Sequence, residues 1–204
     1  RAQEAARRTP LHPRVVGYEL GKILEPDAIL LDDSLSNSMH VQAHHGRSQP
    51  NTMFKSGGSA GGWGSGAAFG AKLAKPDSDV VLATGDGYFM FGTPLPALWS
   101  AAHYKAAFLT VVFVNRSYST GTTGLKNMYP EGVAVGSGDY EGGVFDPPPN
   151  FAKLAEAANG YGETVDQAEQ VGPALRRGLE QVRNGTPAVI AVTLPTIVEE
   201  MSLR

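Results

Sequence analysis

The sequence predicts an α/β fold, with a doubly wound, mainly parallel sheet and helices on both of its faces. Two observations support this prediction. Short apolar runs recur along the chain, at residues 28–31, 79–84, 108–114 and 188–192, and segments with the apolar spacing of a helix separate them. Strands that are apolar on both faces and alternate with helices are typical of a parallel sheet covered on both sides.

The remaining elements follow from the same patterns. Helices are predicted over residues 13–24, where Pro26 ends the pattern, and in a segment that reaches about His45. A polar stretch follows to Lys55, and then a glycine cluster. Further helices are predicted over residues 67–75, 94–104, 151–159 and 167–184, with a short strand at 163–165. Residues 116–149 show no clear period and are predicted to be irregular; a segment of this length is usually functional or ordered by a partner.

Length and composition restrict the function. The 204 residues, 42% of them hydrophobic, fit one large domain over residues 11–204, preceded by a polar linker remnant over residues 1–10. We therefore expect a piece of a longer protein. The net charge of −3 gives no basic surface for nucleic acid or an anionic membrane, and no apolar run approaches the roughly 20 residues of a membrane span. The absence of cysteine excludes disulfides and thiolate metal sites, and the cytoplasm is the default location.

Polar side chains follow two of the predicted strands. Asp86 stands between two glycines at the end of one strand, and Asn115 ends the next. In parallel sheets ligands bind at the carboxyl ends of strands, so these side chains are expected to converge. Carboxylate and amide oxygens suit Mg²⁺, which completes its coordination with water and substrate phosphates. Spacing alone leaves a second interpretation open, in which Asp86 caps a helix and Asn115 is an ordinary strand end.

The same residues carry a resemblance to a known family. Residues 80–89, with Gly-Asp-Gly, and residues 111–118, with Asn115, resemble the thiamine diphosphate signature, in which Asn follows Gly-Asp-Gly by about 25–30 residues. Residues 56–58 leading into 67–74, and residues 101–104 and 151–157, extend the likeness over essentially the whole chain. These segments resemble the C-terminal diphosphate-binding domain of the acetolactate synthase, benzoylformate decarboxylase and pyruvate oxidase superfamily.

The resemblance implies roles for individual residues. Asp86 and Asn115 would bind Mg²⁺ through their side chains, and Ser117 through its backbone carbonyl. The remaining residues that would line thiamine diphosphate are Ser36, Asn37, Ser59, Ala60, Gly61, Gly85, Gly87, Tyr88 and Tyr118, of which residues 59–61 would face the aminopyrimidine. Relatives commonly carry a bulky apolar residue at the position of Gly61, where it holds the two cofactor rings in their reactive arrangement. Trp63 or a side chain of a partner domain would have to replace it.

The resemblance also implies an enzyme that makes or breaks a C–C bond next to a carbonyl, in a small carbonyl or 2-oxo acid substrate. A carboligase similar to acetolactate synthase, but different from an ordinary one because of Gly61, is expected; a 2-oxo acid decarboxylase is the alternative. The family takes the acid beside the aminopyrimidine from a pyrimidine-binding domain, and no Glu of this chain falls within an apolar strand. The catalytic Glu is therefore expected on a partner domain or subunit of a homo- or hetero-oligomer.

Competing interpretations rest on weaker patterns. Residues 62–67 contain the Gly-x-Gly-x-x-Ala of a Rossmann-type nucleotide-binding domain, but no clear strand precedes them and no acidic ribose ligand follows. A non-catalytic relic of the fold is disfavoured because Asp86 and Asn115 are intact. His40 and His44 lie one helical turn apart, as zinc ligands can, yet no carboxylate lies nearby in the sequence. Trp99, Phe108 and Phe113 are expected in the core.

Overall fold

A computed structural model describes residues 11–58 and 60–196. Within these residues six parallel strands form one sheet in the order β2-β1-β3-β4-β6-β5, with helices on both faces, so the predicted fold class is confirmed. The short edge strand β2 is an element that the sequence analysis missed. The strands are β1 (Ile29–Asp33), β2 (Met53–Lys55), β3 (Val80–Gly85), β4 (Leu109–Val114), β5 (Tyr161–Val165) and β6 (Ala188–Thr193).

The helices largely follow the predicted segments. They are α1 (Arg14–Ile23), α2 (Ser38–Gln42), α3 (Gly64–Ala74), α4 (Asp86–Phe91), α5 (Pro94–His103), α6 (Ser119–Met128), α7 (Val133–Ser137), α8 (Phe151–Ala157) and α9 (Ala168–Arg183), with a 3₁₀ turn at Leu35–Asn37. The prediction that residues 116–149 are irregular is wrong in part, because α6 and α7 lie within them. Glycines and threonines in this segment weaken the apolar period without preventing a helix. None of the described helices is long and apolar enough to cross a membrane.

Two hydrophobic layers hold the sheet between the helices. Successive side chains of a strand point to opposite faces, so Leu109 and Val111 of β4 join the layer beneath α1 and α9, whereas Val112 joins the layer beneath α3, α5 and α8. Phe108 and Phe113 are fully buried as predicted. Trp99 is 53% exposed, which contradicts the expectation that it lies in the core. Its ring stacks instead on His103, the last residue of α5.

The strand order creates a switch point. From β1 the chain moves outward to β2 and then returns to the other side of β1 to form β3. Asp33 at the end of β1 pairs in register with Thr84 of β3, and Gly85 of β3 pairs with Phe113 of β4. The carboxyl ends of these three strands therefore lie side by side, at the place where parallel α/β sheets bind ligands.

Within residues 11–58 and 60–196, one buried hydroxyl has no hydrogen-bond partner. Thr110 in β4 is fully buried, and its Oγ1 has no hydrogen-bond partner among the described residues. A buried polar atom without a partner costs about 1–3 kcal/mol. We expect Thr110→Val to raise the free energy of unfolding by about 1 kcal/mol, measured by chemical denaturation.

The matched control is Val112→Thr, which places the same hydroxyl two residues further along the same buried face. This change should lower the free energy of unfolding by about 1–3 kcal/mol. A Thr110→Val protein less stable than the original chain would contradict the prediction.

Candidate functional site

Asp86 links the ends of two neighbouring strands. It follows the last residue of β3, begins α4 and is 2% exposed. Its Oδ1 accepts the backbone N–H of Gly87 at 2.8 Å, and its Oδ2 accepts the backbone N–H of Arg116, beyond the end of β4, at 2.6 Å. The carboxylate is thus fixed in position between β3 and β4.

Asn115 is held beside it by the first residues after β4. Its Nδ2 donates to the hydroxyl of Ser119 at 2.9 Å, and its Oδ1 accepts the backbone N–H of Ser117 at 3.1 Å. These two contacts define the orientation of the amide. Because Arg116 is bonded to Asp86, the structure brings the side chains of Asp86 and Asn115 to one location, as the spacing led us to expect.

Both side chains line one cavity of about 330 Å³ at the carboxyl edge of the sheet. The segments after β1, β3 and β4 supply its lining: Ser34, Leu35, Ser36, Asn37, Gly85, Asp86, Gly87, Tyr88, Asn115, Ser117, Tyr118, Ser119, Thr120 and Gly121. The structure therefore brings together nine residues for which the sequence predicts a role: Ser36, Asn37, Gly85, Asp86, Gly87, Tyr88, Asn115, Ser117 and Tyr118. Ser59 lies outside the described residues, and Ala60 and Gly61 are not part of this lining.

The oxygen atoms at this edge suit a magnesium ion. Both carboxylate oxygens of Asp86 accept backbone N–H groups, those of Gly87 and Arg116 among them, and Asn115 contributes an amide oxygen. Burial raises the pKa of Asp86 to about 6, while the N–H groups of Arg116 and Gly87 oppose that rise. Hard oxygen donors with one carboxylate are the set that Mg²⁺ takes from proteins, so the residues fit this metal.

Tyr88 occupies the space beside Gly61. A Cβ atom at Gly61 would lie 2.2 Å from Cδ1 of the Tyr88 ring, far inside van der Waals contact. The ring of Tyr88, half-buried and part of the cavity lining, therefore fills the place where a side chain at residue 61 would stand. The role of holding the two cofactor rings, expected of Trp63 or of a side chain from a partner domain, stays a prediction.

A second aromatic ring is seated on Gly87 in the same way. A Cβ atom at Gly87 would lie 2.7 Å from the Tyr118 ring, which packs edge-on against Phe145 at 4.8 Å between centroids. The N–H of Tyr118 donates to the carbonyl of Gly143 at 3.0 Å, so the chain returns to the cavity at residues 143–145. Part of the 116–149 segment thus folds back onto the cavity.

Asp33, directly before the cavity-lining residues Ser34 and Leu35, is a buried carboxylate that the sequence analysis did not single out. It ends β1 and is 4% exposed, and its Oδ2 accepts the backbone N–H groups of Gly62 at 3.0 Å and Gly64 at 3.2 Å. Burial raises its pKa to about 6, the two N–H groups oppose the rise and neighbouring Asp32 adds to it. Because the folded protein binds this proton more tightly than the unfolded chain, stability from Asp33 grows as the pH falls below about 6 and is lost as the pH rises through that value.

Other candidate groups lie away from this arrangement. His40 packs edge-on against His12 at 5.0 Å, and burial lowers its pKa to about 4. The described part of the chain holds no group of three or more His, Asp or Glu that could bind a metal ion, which does not support the zinc interpretation. Glu163 lies in the edge strand β5, at the position of the short strand predicted over 163–165, and pairs with Arg177 on the surface.

The comparison with protein families decides between the interpretations. The model of the thiamine pyrophosphate enzyme C-terminal TPP binding domain matches residues 36–192, which include Asp86, Asn115 and the cavity lining from Ser36 onward. The chain belongs to this family. The match also covers residues 62–67, and the strand before them is the three-residue β2, so a Rossmann-type nucleotide site is not favoured.

Relatives of this thiamine pyrophosphate-binding domain are longer enzymes. The chain is 28% identical over 185 residues to the acetolactate synthase isozyme 3 large subunit of Escherichia coli K12, covering 90% of the chain and 31% of that protein. It is 28% identical over 194 residues to the sulfoacetaldehyde acetyltransferase of Alcaligenes xylosoxydans xylosoxydans, covering 91% and 30%. The chain thus spans about a third of the length of the curated relatives it matches.

A solved structure agrees with this assignment. The thiamine diphosphate-dependent 4-hydroxybenzoylformate decarboxylase of Rhodococcus jostii RHA1 superposes with a TM-score of 0.77 at 26% sequence identity. The superposition covers 93% of this chain and 33% of the decarboxylase. The thiamine pyrophosphate-binding domain therefore shares its fold with a domain-sized part of that enzyme.

The contact between Gly61 and Tyr88 predicts an interaction between two substitutions. Gly61→Ala adds one methyl group that collides with the ring, so we expect it to lower the free energy of unfolding by about 1–3 kcal/mol. In a Tyr88→Ala background the same change should cost less than half as much, because the obstructing ring is gone. Chemical denaturation of the four proteins measures the coupling.

Gly70 in α3 provides the control, because a Cβ atom there meets open space. Gly70→Ala should leave stability equal or higher by about 0.5–1 kcal/mol, as expected for Ala replacing Gly within a helix. Equal costs of Gly61→Ala in both backgrounds would show that the ring of Tyr88 does not fill this space.

Proposed function

We propose that this chain anchors the cofactor in a thiamine diphosphate- and Mg²⁺-dependent enzyme that makes or breaks a C–C bond next to a carbonyl. The observation that carries this proposal is the meeting of Asp86 and Asn115 at one cavity, within a domain of the thiamine pyrophosphate enzyme family. Both side chains are oriented by hydrogen bonds before any ligand binds. This preorganisation favours a fixed metal position over a general polar surface.

In this proposal each part of the cavity has a separate task. Asp86, the amide oxygen of Asn115 and the carbonyl of Ser117 hold Mg²⁺, which neutralises a diphosphate. Ser36 and Asn37, from the segment after β1, line the same cavity and offer polar groups to the diphosphate. Gly87 and Tyr88 also line the diphosphate, and the backbone of residues 59–61 receives the aminopyrimidine. Thiamine diphosphate supplies the electron sink for cleavage or formation of the C–C bond.

The reaction class that we favour is carboligation of the acetolactate synthase kind, on a small carbonyl or 2-oxo acid substrate. Its support is the likeness to the acetolactate synthase and the sulfoacetaldehyde acetyltransferase named above. A 2-oxo acid decarboxylase is the second candidate, and the likeness to the Rhodococcus decarboxylase favours it. Gly61 and the Tyr88 ring above it favour a pocket that differs from that of an ordinary branched-chain acetolactate synthase.

We infer that the active site needs a second component. No glutamate among the described residues lines the cavity, although the proposed chemistry needs an acid beside the aminopyrimidine. The relatives are about three times as long as this chain. A pyrimidine-binding domain or subunit, in a homo- or hetero-oligomer, would supply this acid.

The metal assignment predicts a graded effect of two substitutions. Asp86→Ala should weaken Mg²⁺-dependent binding of thiamine diphosphate by more than about 100-fold, and Asn115→Ala by about 10-fold, because the carboxylate carries the charge. Removal of Mg²⁺ with a chelator should abolish binding by the original protein. Isothermal titration calorimetry measures all three affinities.

Asp79→Ala is the matched control, because Asp79 precedes the opposite end of β3 and pairs with Arg183 on the surface. It should leave the affinity for thiamine diphosphate unchanged. Unchanged affinity in Asp86→Ala, with the fold intact by circular dichroism, would refute the metal assignment.

The need for a second component predicts the behaviour of the purified chain. The 204-residue polypeptide alone should show no turnover of pyruvate or other 2-oxo acids, and addition of its pyrimidine-binding partner should restore activity. A carbonyl-product assay with a gel of the preparation measures this. Turnover by this chain with no other polypeptide present would contradict the inference that a second component is needed.

The proposed difference from acetolactate synthases has its own test. Rapid acetolactate formation from pyruvate by the complete enzyme would contradict it.

A further inference from the structure

We propose that Asp33 is a positioning residue, whose carboxylate holds the backbone of residues 60–64 in the conformation that receives the pyrimidine end of the cofactor. This inference rests on the proposed function. Asp33 lies at the end of β1, directly before the cavity-lining residues Ser34 and Leu35. Its side chain does not line that cavity but accepts hydrogen bonds from residues 62 and 64. It would therefore act through residues 60–64 and not by contact with the cofactor.

The carboxylate of Asp33 bonds to a segment that is distant in the sequence. One oxygen, Oδ2, accepts from Gly62 and Gly64, which lie 29 and 31 residues further along the chain. These bonds tie the end of β1 to the start of α3. Glycine residues lose more conformational freedom on ordering than any other residue, so a glycine-rich segment depends on such external contacts.

Packing around the segment shows what the carboxylate adds. The Tyr88 ring covers Gly61, and Gly62, with φ of +87°, lies so close to Gly92 that a Cβ atom would be 2.6 Å from its backbone. Gly64 packs against Asp33 itself, where a Cβ atom would lie 3.0 Å from that of Asp33. The Tyr88 and Gly92 contacts are van der Waals contacts, which limit how far the segment can move but do not orient its N–H groups. Asp33 provides that orientation.

The buried carboxylate of Asp33 lowers the stability of the folded chain at neutral pH. No basic side chain of the described residues forms an ion pair with Asp33, and the charged or titratable groups that face it are Asp32 and Tyr88. Asp32 is itself buried and accepts from the hydroxyl of Ser34 at 2.6 Å. A buried carboxylate without a cation lowers stability at neutral pH. Local features that cost stability concentrate at functional sites, and Asp33 lies immediately behind one.

The test compares two ligands in the intact enzyme that contains this chain. With Mg²⁺ present, thiamine diphosphate engages both ends of the site and inorganic pyrophosphate only the diphosphate end. Asp33→Ala should lower the affinity for thiamine diphosphate at least about 10-fold and the affinity for pyrophosphate less than about 3-fold. Asp33→Asn keeps an oxygen acceptor for the two N–H groups, so it should lower the affinity for each ligand less than about 3-fold. Asp79→Ala again serves as the surface control.

Hydrogen exchange gives a readout that does not need cofactor binding. In Asp33→Ala the amides of Gly62 and Gly64 should exchange faster, while those of β3 and β4 remain protected. The role of Asp33 would be overturned if Asp33→Ala lowered the affinity for both ligands equally or for neither. An unchanged rate of amide hydrogen exchange at these glycines would also overturn it. If the original enzyme binds neither ligand, the proposed function fails, and the exchange experiment still tests whether Asp33 holds the segment.

Discussion

The hydrogen bond from the N–H of Arg116 to Oδ2 of Asp86 joins the ends of the two central strands, and the candidate site depends on it. Through this bond the carboxylate after β3 sets the path of the chain after β4, and that path places Asn115 and Ser117. The sheet makes the bond possible, because Gly85 and Phe113 are paired in register at the ends of their strands. One buried carboxylate thus converts the alignment of a sheet into the geometry of a binding site.

The sequence predicts the fold well because continuous apolar strands and amphipathic helices are local patterns. Residues 80–84 and 109–114 need no distant partner to be recognised as buried strands. The convergence of Asp86 and Asn115 could also be expected, since carboxyl ends of neighbouring parallel strands meet at one edge. Strand β2 could not, because a half-exposed segment of three residues has no period that distinguishes it from a loop.

Contacts between distant segments could not be predicted from the sequence. In the sequence, Asp33 resembles any polar residue at the end of a strand. Its hydrogen bonds to Gly62 and Gly64 follow only from the packing of α3 on the sheet. The same holds for the two tyrosines that cover Gly61 and Gly87. In each pair the ring occupies the space that a side chain on the glycine would need. The role of either residue therefore cannot be recognised from that residue alone. Trp99 was misjudged because its hydrophobicity says nothing about which side of α5 faces the core.

The return of the chain at residues 143–145 has a structural consequence of its own. Ser117 and Val144 form an isolated antiparallel bridge, and the N–H of Phe145 donates to the carbonyl of Arg116 at 2.8 Å. The intervening residues, including α6 and α7, thus leave the edge of the site and come back to the same point. Closing a longer loop between fixed ends costs only about 0.6 kcal/mol for each doubling of its length. This excursion is therefore a region where insertions or deletions can reshape the surroundings of the cavity while Asp86 and Asn115 stay in place.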